Sequence, residues 1–342
     1  IKDRLDEYVI GKIYPDYFLG FEENTPEYFK ISSMTDPVAV RTAMANGELE
    51  ISDELQPLEN YQAMEEFPGV DVVKYQSGLH LNVLLNNKKA PMDDYYYRRA
   101  ISLCLDYDSV VENIFPGAEI SRGAVPGCIP GADRSIPASE HNLALAKEML
   151  AKSKYANDPA MMKFNLVWCA EDAAQEKVAL LWQANLAELG ITLEITKKPF
   201  SSMITDAQTV ETTPHAAFLN WIASYYEAAG DIYPRYHSST CGSFVQMEWL
   251  QDKELDGMLE KAVNTMDRDE RFAVYAQVQK YLYDLQPSIW ICDKIEMRAC
   301  ATGYLTWKAA TAAQAGEPFM YPLGYTLYVR DMRIDLDAKH AS

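Results

Sequence analysis

The residues of this sequence best able to do chemistry are its cysteines and histidines, and their spacing argues against a metal centre. They are Cys104, Cys128, Cys169, Cys241, Cys292 and Cys300, with His80, His141, His215, His237 and His340. No Cys-x-x-Cys pair, His-x-x-x-His or His-Glu-x-x-His motif occurs among them, and these are the spacings that zinc sites use. We expect buried thiols for most cysteines, with one or two disulfides left open because six cysteines allow too many pairings to choose among. We expect no metal and no cofactor.

Motifs for covalent catalysis or phosphate binding are also missing from the sequence. Gly-x-Ser-x-Gly, Gly-x-x-x-x-Gly-Lys-[Ser/Thr], Gly-x-Gly-x-x-Gly and Ser-x-x-Lys are all absent, so the common nucleophiles and phosphate loops have no counterpart here. Dispersed catalytic residues leave no such motif, which keeps an enzyme as a third hypothesis.

Length and charge narrow the class of protein further. The 342 residues, 48% of them hydrophobic, are enough for two domains or one large discontinuous domain. Lys and Arg total 31 against 50 Asp and Glu, a net charge of −19, which opposes binding to nucleic acid or to an anionic membrane. No apolar run approaches the roughly 18 residues of a membrane helix. Residue 1 does not begin a signal peptide, so any targeting segment is expected outside this sequence.

Residues 86–115, NNKKAPMDDYYYRRAISLCLDYDSVVENIF, predict two helices that face a core. Asp93 or Asp94 is expected to cap the first helix and Asp106 the second. The apolar face of the first helix follows helical spacing and consists of Tyr97, Ala100, Ile101, Cys104 and Leu105.

The centre of the chain predicts layered α/β structure. A strand at 163–168, a helix at 173–189 and a strand at 191–195 form a β-α-β order that implies a parallel crossover. Residues 116–138 hold four Pro and four Gly and predict a long ordered loop. The last forty residues, with a β-like run at 325–329, are too poor in apolar residues for a core of their own and are expected to dock onto the first segment.

The run 86–115 resembles a segment of the peptide-type, family 5 extracellular solute-binding proteins of ABC transporters, N-x-x-x-P-F-D-D-x-R-V-R-x-A-L-x-x-A-I-D-R-x-x-I. Further similarities follow in the family's order along residues 8–330. They are YVIGKIYPDYF, MTDPVAVRTAMANGELEI, HNLALAKEMLAKSKY, VALLWQANLAELGITLEI, FLNWIASYY and RFAVYAQVQKYLYDLQPSIWI. The fixed order of these individually weak motifs carries the resemblance.

The resemblance implies an α/β fold of the type II periplasmic-binding-protein class, in which two lobes close on a ligand about a hinge. Residues 1–78 would form part of the first lobe, 79–299 the second, and 300–342 a return to the first. The N-terminal lobe would be incomplete, because family members carry a longer N-terminal portion. A strand break at Gly78 and another around 300–303 would be the hinge crossings.

The resemblance also implies that the segment 220–231, NWIASYYEAAGD, forms a cleft wall on which an extended ligand pairs like an added strand. The expected ligand-binding residues are Trp221, Ile222, Ala223, Ser224, Tyr225, Tyr226, Asp231 and His80. Ser224 stands where the family has the Asp that binds a peptide's amino group, and a hydroxyl cannot replace that charge. Asp231 or Glu227 would have to supply the anion. Otherwise the ligand would be a sugar, an opine-like compound or another solute without an amino group.

The function implied is that of a non-enzymatic ABC-importer subunit, which captures an oligopeptide or similar small solute and delivers it to the membrane permease. It would work in the periplasm or on the outer face of the cytoplasmic membrane, with a lipid anchor as one option. The alternative is a truncated relative that acts as a protein-interaction or sensing domain.

Overall fold

The computed structural model describes residues 3–5, 7–316 and 327–341. The chain divides into two compact units. Among the described residues, unit 1 contains those up to 77 and those from 295 onward, and unit 2 contains residues 78–294. The domain bounds and hinge predicted from the sequence stay predictions.

Within the described residues the strands are β1 (Asp3–Leu5), β2 (Tyr8–Lys12), β3 (Tyr28–Ser32), β4 (Asp71–Leu85), β5 (Glu119–Ile120), β6 (Lys163–Cys169), β7 (Thr192–Lys198), β8 (Ala216–Trp221), β9 (Ser288–Cys300), β10 (Leu305–Thr306) and β11 (Arg333–Ile334). The α-helices there are α1 (Pro37–Ala45), α2 (Leu58–Glu65), α3 (Tyr95–Leu103), α4 (Tyr107–Ser109), α5 (Leu143–Lys152), α6 (Ala173–Ala187), α7 (Phe200–Asp206), α8 (Ala229–Tyr236), α9 (Lys253–Asn264), α10 (Arg268–Leu285), α11 (Lys308–Ala315) and α12 (Leu336–Ala341). A π-helical turn, Val110–Ile114, continues α4.

Unit 2 is organised by a mixed sheet with the strand order β5-β9-β4-β8-β6-β7. β6 is parallel to both β7 and β8, whereas β8 is antiparallel to β4. The chain enters β7 directly from α6, so the predicted β-α-β crossover is confirmed. Strand residues alternate between the two faces of a sheet, and both faces of this sheet are covered by buried apolar side chains. Its strands are therefore rich in apolar residues, as expected of a sheet covered on both sides.

The helices of unit 2 begin where the sequence predicts caps. The Asp94 carboxylate accepts a hydrogen bond from the Tyr97 backbone N–H at 2.8 Å, and Asp106 accepts one from the Ser109 N–H at 3.0 Å. The predicted apolar face of α3 and the residues after it is fully buried with Trp182 of α6 and Phe164 of β6. These caps and this core fix one face of the sheet against α3 and α6.

Unit 1 contains a small antiparallel sheet, β1-β2-β3, and a short pair, β10-β11. Asp36 caps α1, as predicted, by accepting from the Val38 N–H at 2.7 Å. Trp307 and Met332, from the last forty residues, are buried with Val73 and Tyr75 of β4. The prediction that the C-terminal residues dock onto the first segment is confirmed for the part of that region described.

Several predictions from the sequence were wrong in detail. Gly78 does not break a strand pair: β4 runs continuously from Asp71 to Leu85 and Gly78 has φ +84° within it. Glycine is suited to this position because a Cβ there would lie 2.6 Å from Ile129 Cδ1. The predicted run at 325–329 lies partly outside the described residues, and Val329 is in a 3-10 turn. The disulfide question that the sequence left open has its answer here: all six cysteines are free thiols, three of them buried and three half-buried.

Candidate functional site

All but one of the predicted site residues lie in a single stretch of unit 2. Trp221 is the last residue of β8, residues 222–228 form a loop, and Asp231 is in the first turn of α8. The remaining residue, His80 on β4, is paired in register with Trp221 across the antiparallel ladder. Directly paired residues lie on the same face of a sheet. The structure thus brings His80 to the end of β8 where the loop begins.

The loop after β8 is tightly folded onto the start of α8. The Ser224 N–H donates to the Gly230 carbonyl at 3.3 Å, and the Gly230 N–H donates to the Glu227 carbonyl at 2.8 Å. A Cβ at position 230 would lie 2.4 Å from the Tyr225 carbonyl oxygen. Position 230 therefore requires glycine if the loop is to keep this conformation.

The side chains of the predicted wall differ in their accessibility. Ser224 and Tyr225 are exposed, Trp221, Ile222 and Tyr226 are half-buried, and Ala223 is buried. The Tyr226 hydroxyl donates to the Cys128 carbonyl at 2.9 Å, which ties the loop to the 116–138 segment. Tyr225 is the most exposed aromatic ring of the wall, with 45% of its surface accessible.

Glu227, one of the two anions that could replace the missing Asp, already has partners within the protein. Arg271 donates to it twice, from Nε at 3.0 Å and from a terminal nitrogen at 2.7 Å, and the Tyr275 hydroxyl donates at 2.6 Å. The hydrogen bond with Arg271 lowers the pKa of Glu227. A bidentate pair of this kind leaves the carboxylate committed to the fold.

Asp231, the other candidate anion, lies in a buried polar cluster that we define as His80, Asn82, Trp221 and Asp231. Asn82 shares the face of β4 with His80 because it lies two residues further along the strand. The side chains of His80, Asn82 and Asp231 are 0% exposed. None of the polar side-chain atoms of the cluster has a hydrogen-bond partner among the residues that the structure describes.

The shortest charged contact in the buried polar cluster joins His80 Nε2 and Asp231 Oδ1 at 3.6 Å, too long for a good hydrogen bond. Burial raises the pKa of Asp231, and His80 and Arg235 only partly oppose that effect. Arg235 is itself paired with Glu248, 2.8 Å away, and both side chains are almost completely buried. Asp231 is therefore a buried carboxyl group without a close neutralising partner in the described chain, an arrangement that is expensive unless something else binds there.

A second polar group at the same strand end was missed by the sequence predictions. The Asn220 amide donates to Asp172 Oδ2 at 2.6 Å, and Lys294 Nζ lies 3.4 Å from Asn220 Oδ1 and 3.8 Å from Asp172 Oδ2. Asn220 and Trp221 are successive residues of β8 and point to opposite faces. The signal that could have found Asp172 is its place after β6, since ligand sites of α/β sheets favour the carboxyl ends of parallel strands.

No group of three or more His, Cys, Asp or Glu side chains within them is arranged to hold a metal ion. No helix in the described part of the chain is long and apolar enough to cross a membrane.

Comparison with known proteins gives matches over most of the chain. The model of the bacterial extracellular solute-binding proteins, family 5 (middle), matches residues 3–243. The probable D,D-dipeptide-binding periplasmic protein of Escherichia coli K12 is 26% identical over 274 residues, 79% of this chain and 52% of that protein. The chain spans about half the length of the curated relatives it matches.

Solved structures with the same fold have low sequence identity. A periplasmic binding protein from Helicobacter pylori, in complex with the peptide STSA, gives a TM-score of 0.80 at 19% identity, over 98% of this chain and 62% of that one. A binding protein from A. tumefaciens R10, in complex with agropinic acid, gives 0.79 at 18% identity, over 98% and 66%. The predicted fold class, α/β and type II periplasmic-binding-protein-like, is confirmed.

Proposed function

The chain belongs to the bacterial extracellular solute-binding proteins of family 5, and from that premise we propose that it is the solute-capturing component of an ABC importer. It binds a small solute outside the cytoplasm and delivers it to the permease subunits in the membrane. A periplasmic location, or one on the outer face of the cytoplasmic membrane with a lipid anchor, suits this role. The family consists of transport proteins, and we propose no catalytic activity.

The observation that carries this proposal is the pairing of an exposed aromatic loop with a buried carboxyl group at the end of β8. Tyr225 and Ser224 offer an accessible ring and hydroxyl, and aromatic rings with polar tips suit a wet and adaptable binding surface. The wall behind these two side chains would be formed by Trp221, Ile222 and Ala223. An extended ligand would pair with the backbone of this wall as an added strand does.

Within this proposal the ligand is a peptide or a related solute with an amino group. Ser224 carries no charge, and Glu227 is held by Arg271. Asp231 is then the anion of the segment that lacks a close cation, and His80 lies beside it. The E. coli relative is described as binding D,D-dipeptides and the H. pylori protein was solved with a peptide, which favours this class. The agropinic acid complex keeps a non-peptide solute as the second candidate.

The first test is mass spectrometry, under native and denaturing conditions, of the gene product that carries this chain. A ladder of peptide masses released on denaturation would support peptide capture. One discrete mass that is not a peptide would move the assignment to a specific other solute. A clean ligand-free mass that persists after incubation with trialanine would count against capture and favour the protein-interaction or sensing alternative.

A matched pair of variants then tests the wall. Tyr225→Ala should weaken binding of the solute found by about tenfold, as loss of an aromatic contact does, without changing the free energy of unfolding. Tyr95→Ala is the control because that ring is similarly exposed, 40% against 45%, and lies outside the segment. Equal affinities for the two variants in calorimetry would remove Tyr225 from the site.

A further inference from the structure

The contact between His80 and Asp231 places a carboxyl group and an imidazole in the protein interior, where the net charge of the pair must be accounted for. Both side chains are completely buried, and Nε2 and Oδ1 lie 3.6 Å apart. Neither imidazole nitrogen and neither carboxyl oxygen has a hydrogen-bond partner in the described part of the chain. A buried carboxylate beside a neutral imidazole would leave a full negative charge unbalanced in a medium of low polarity.

The other charged groups around the pair cannot balance it. On α8, Arg235 lies one turn after Asp231 but is paired at 2.8 Å with Glu248, so the two charges cancel. On β9, Asp293 adds another buried carboxyl group, which accepts from the Ser121 hydroxyl at 2.6 Å and the Gly127 N–H at 2.8 Å.

Two further titratable groups lie close to these carboxyls, and neither is a cation. Burial and, less strongly, Glu119 on β5 raise the pKa of Asp293, and Asp293 and Asp231 in turn help burial to raise the pKa of the Cys128 thiol. Among the groups named here, each one without a charged partner is therefore acidic, apart from His80.

We propose that His80 and Asp231 form a proton-binding pair, which holds one proton in the folded chain at neutral pH and couples the conformation of the 222–228 loop to external pH. With the proton on the imidazole the pair is an internal ion pair. With the proton on the carboxyl it is neutral. Either arrangement removes one buried negative charge, and the shared proton belongs to the pair rather than to one residue.

The coupling to the loop follows from the backbone contacts of α8. Asp231 is in the first turn of the helix, and the residue before it, Gly230, exchanges hydrogen bonds with Ser224 and Glu227 of the loop. Loss of the proton weakens the interaction of His80, on β4, with Asp231 in the first turn of α8. The loop that carries Tyr225 is hydrogen-bonded to that same turn. As a form of regulation this inference rests on the proposed function, but its test uses no ligand, so either can fail without the other.

The direction of the pH effect follows from linkage. Burial raises the pKa of Asp231 in the folded chain. Such a group stabilises the fold fully below its unfolded pKa, about 3.9, and that contribution is lost as pH rises through the folded pKa. From about pH 7.5, one unit above the unperturbed histidine pKa, an unfolded chain has released nearly all the protons of both residues. If the folded pair still holds one, the unfolding equilibrium constant increases about tenfold per pH unit until the pair itself titrates.

The experiment is urea unfolding of the chain between pH 6 and pH 8.5, for the wild type, His80→Gln, Asp231→Asn and the control His141→Gln. His141 is an exposed histidine, so its variant should keep the wild-type pH dependence. Asp231→Asn should lose up to one proton's share of the slope, that is, about tenfold per pH unit, whereas His80→Gln removes a group that lowers the pKa of Asp231 and should keep the proton on the carboxyl and the slope with it. Identical pH dependence in all four proteins would overturn the proposal.

A second measurement covers the case in which a cluster variant does not fold. Imidazole nitrogen resonances of the wild-type protein can be followed by NMR across the same pH range. The proposal expects the His80 signals and the Asp231 carboxyl carbon to change together in one transition. The proposal would be overturned if the His80 signals changed over the same pH range as those of the exposed His141 while the Asp231 carboxyl carbon signal stayed constant.

Discussion

Two buried carboxyl groups, Asp172 and Asp231, lie at the same end of β8 but differ in what surrounds them. Asp172 accepts from the Asn220 amide at 2.6 Å and from the Ala174 N–H at 3.1 Å, with Lys294 3.8 Å away. Asp231 is as deeply buried, 0% exposed against 2%, yet has only the distant His80. A satisfied polar group specifies the fold, whereas an unsatisfied one indicates a place kept for a proton or a ligand.

The largest effect on the free energy of unfolding is expected when the interaction of Asp172 with Lys294 is removed. Lys294→Met should lower the free energy of unfolding by about 3 kcal/mol, because it leaves Asp172 buried without its cation. Urea unfolding at pH 7 measures the change.

The matched control for Lys294 is another lysine in a carboxylate pair. Lys280 lies 2.9 Å from Asp284, one helical turn away, and both side chains are mostly exposed. Lys280→Met should change stability by less than about 0.5 kcal/mol. If the free energy of unfolding fell by the same small amount in both variants, the interactions of Asp172 with Asn220 and Lys294 would not stabilise the fold.

The next effect concerns the loop that connects β8 to α8. Gly230→Ala should destabilise the chain by about 2 kcal/mol, since the added methyl group would overlap the Tyr225 carbonyl at 2.4 Å. Gly257→Ala is the control because nothing lies within 4 Å of a Cβ at that position of α9. That variant should be stabilised by about 0.5 to 1 kcal/mol. Thermal unfolding of the two variants should therefore shift in opposite directions.

A smaller effect is expected at Glu227, the carboxylate that was a candidate anion from the sequence. Glu227→Gln should lower stability by about 1 kcal/mol by removing the charge from the half-exposed Arg271 pair. The pKa of Glu227 is lowered in the fold, so its contribution is present above the unfolded pKa of about 4.3 and is lost as pH falls through the folded pKa. The difference between wild type and variant should therefore disappear in strongly acidic solution. A difference that grows on acidification would contradict the assignment.

Local signals were enough to predict the framework of unit 2. Asp94 and Asp106 cap the helices predicted for them, and the apolar spacing of α6 with Gly190 behind it gave the parallel crossover. These features depend on residues a few positions apart, whose interactions survive in any fold that contains the element.

The chemistry of the site could not be predicted in the same way. Asp231 was expected as a cleft residue, but it is completely buried next to β4, which lies about 150 residues earlier in the chain. β4 meets β8 only through a long-range antiparallel pairing, in which His80 lies opposite Trp221. Glu227 and Asp231 look equivalent in the sequence. Only the fold shows that Arg271 reaches one and not the other. The same holds for Lys294, whose position on β9 becomes meaningful when that strand joins the sheet.

The smallest effect on stability is expected from the group that is least satisfied. Asp231→Asn keeps the shape of the side chain and removes its charge, so at pH 8.5 the free energy of unfolding should stay within about 1 kcal/mol of wild type or rise, because an unbalanced buried charge is lost. Asp172→Asn, which deprives Lys294 of its anion, should be clearly destabilised under the same conditions. Urea unfolding of both variants at pH 8.5 makes the comparison direct. If Asp231→Asn were the more destabilised of the two, Asp231 would be a structural anion with a stabilising partner, and both its proposed proton and its proposed ligand would lose their physical basis.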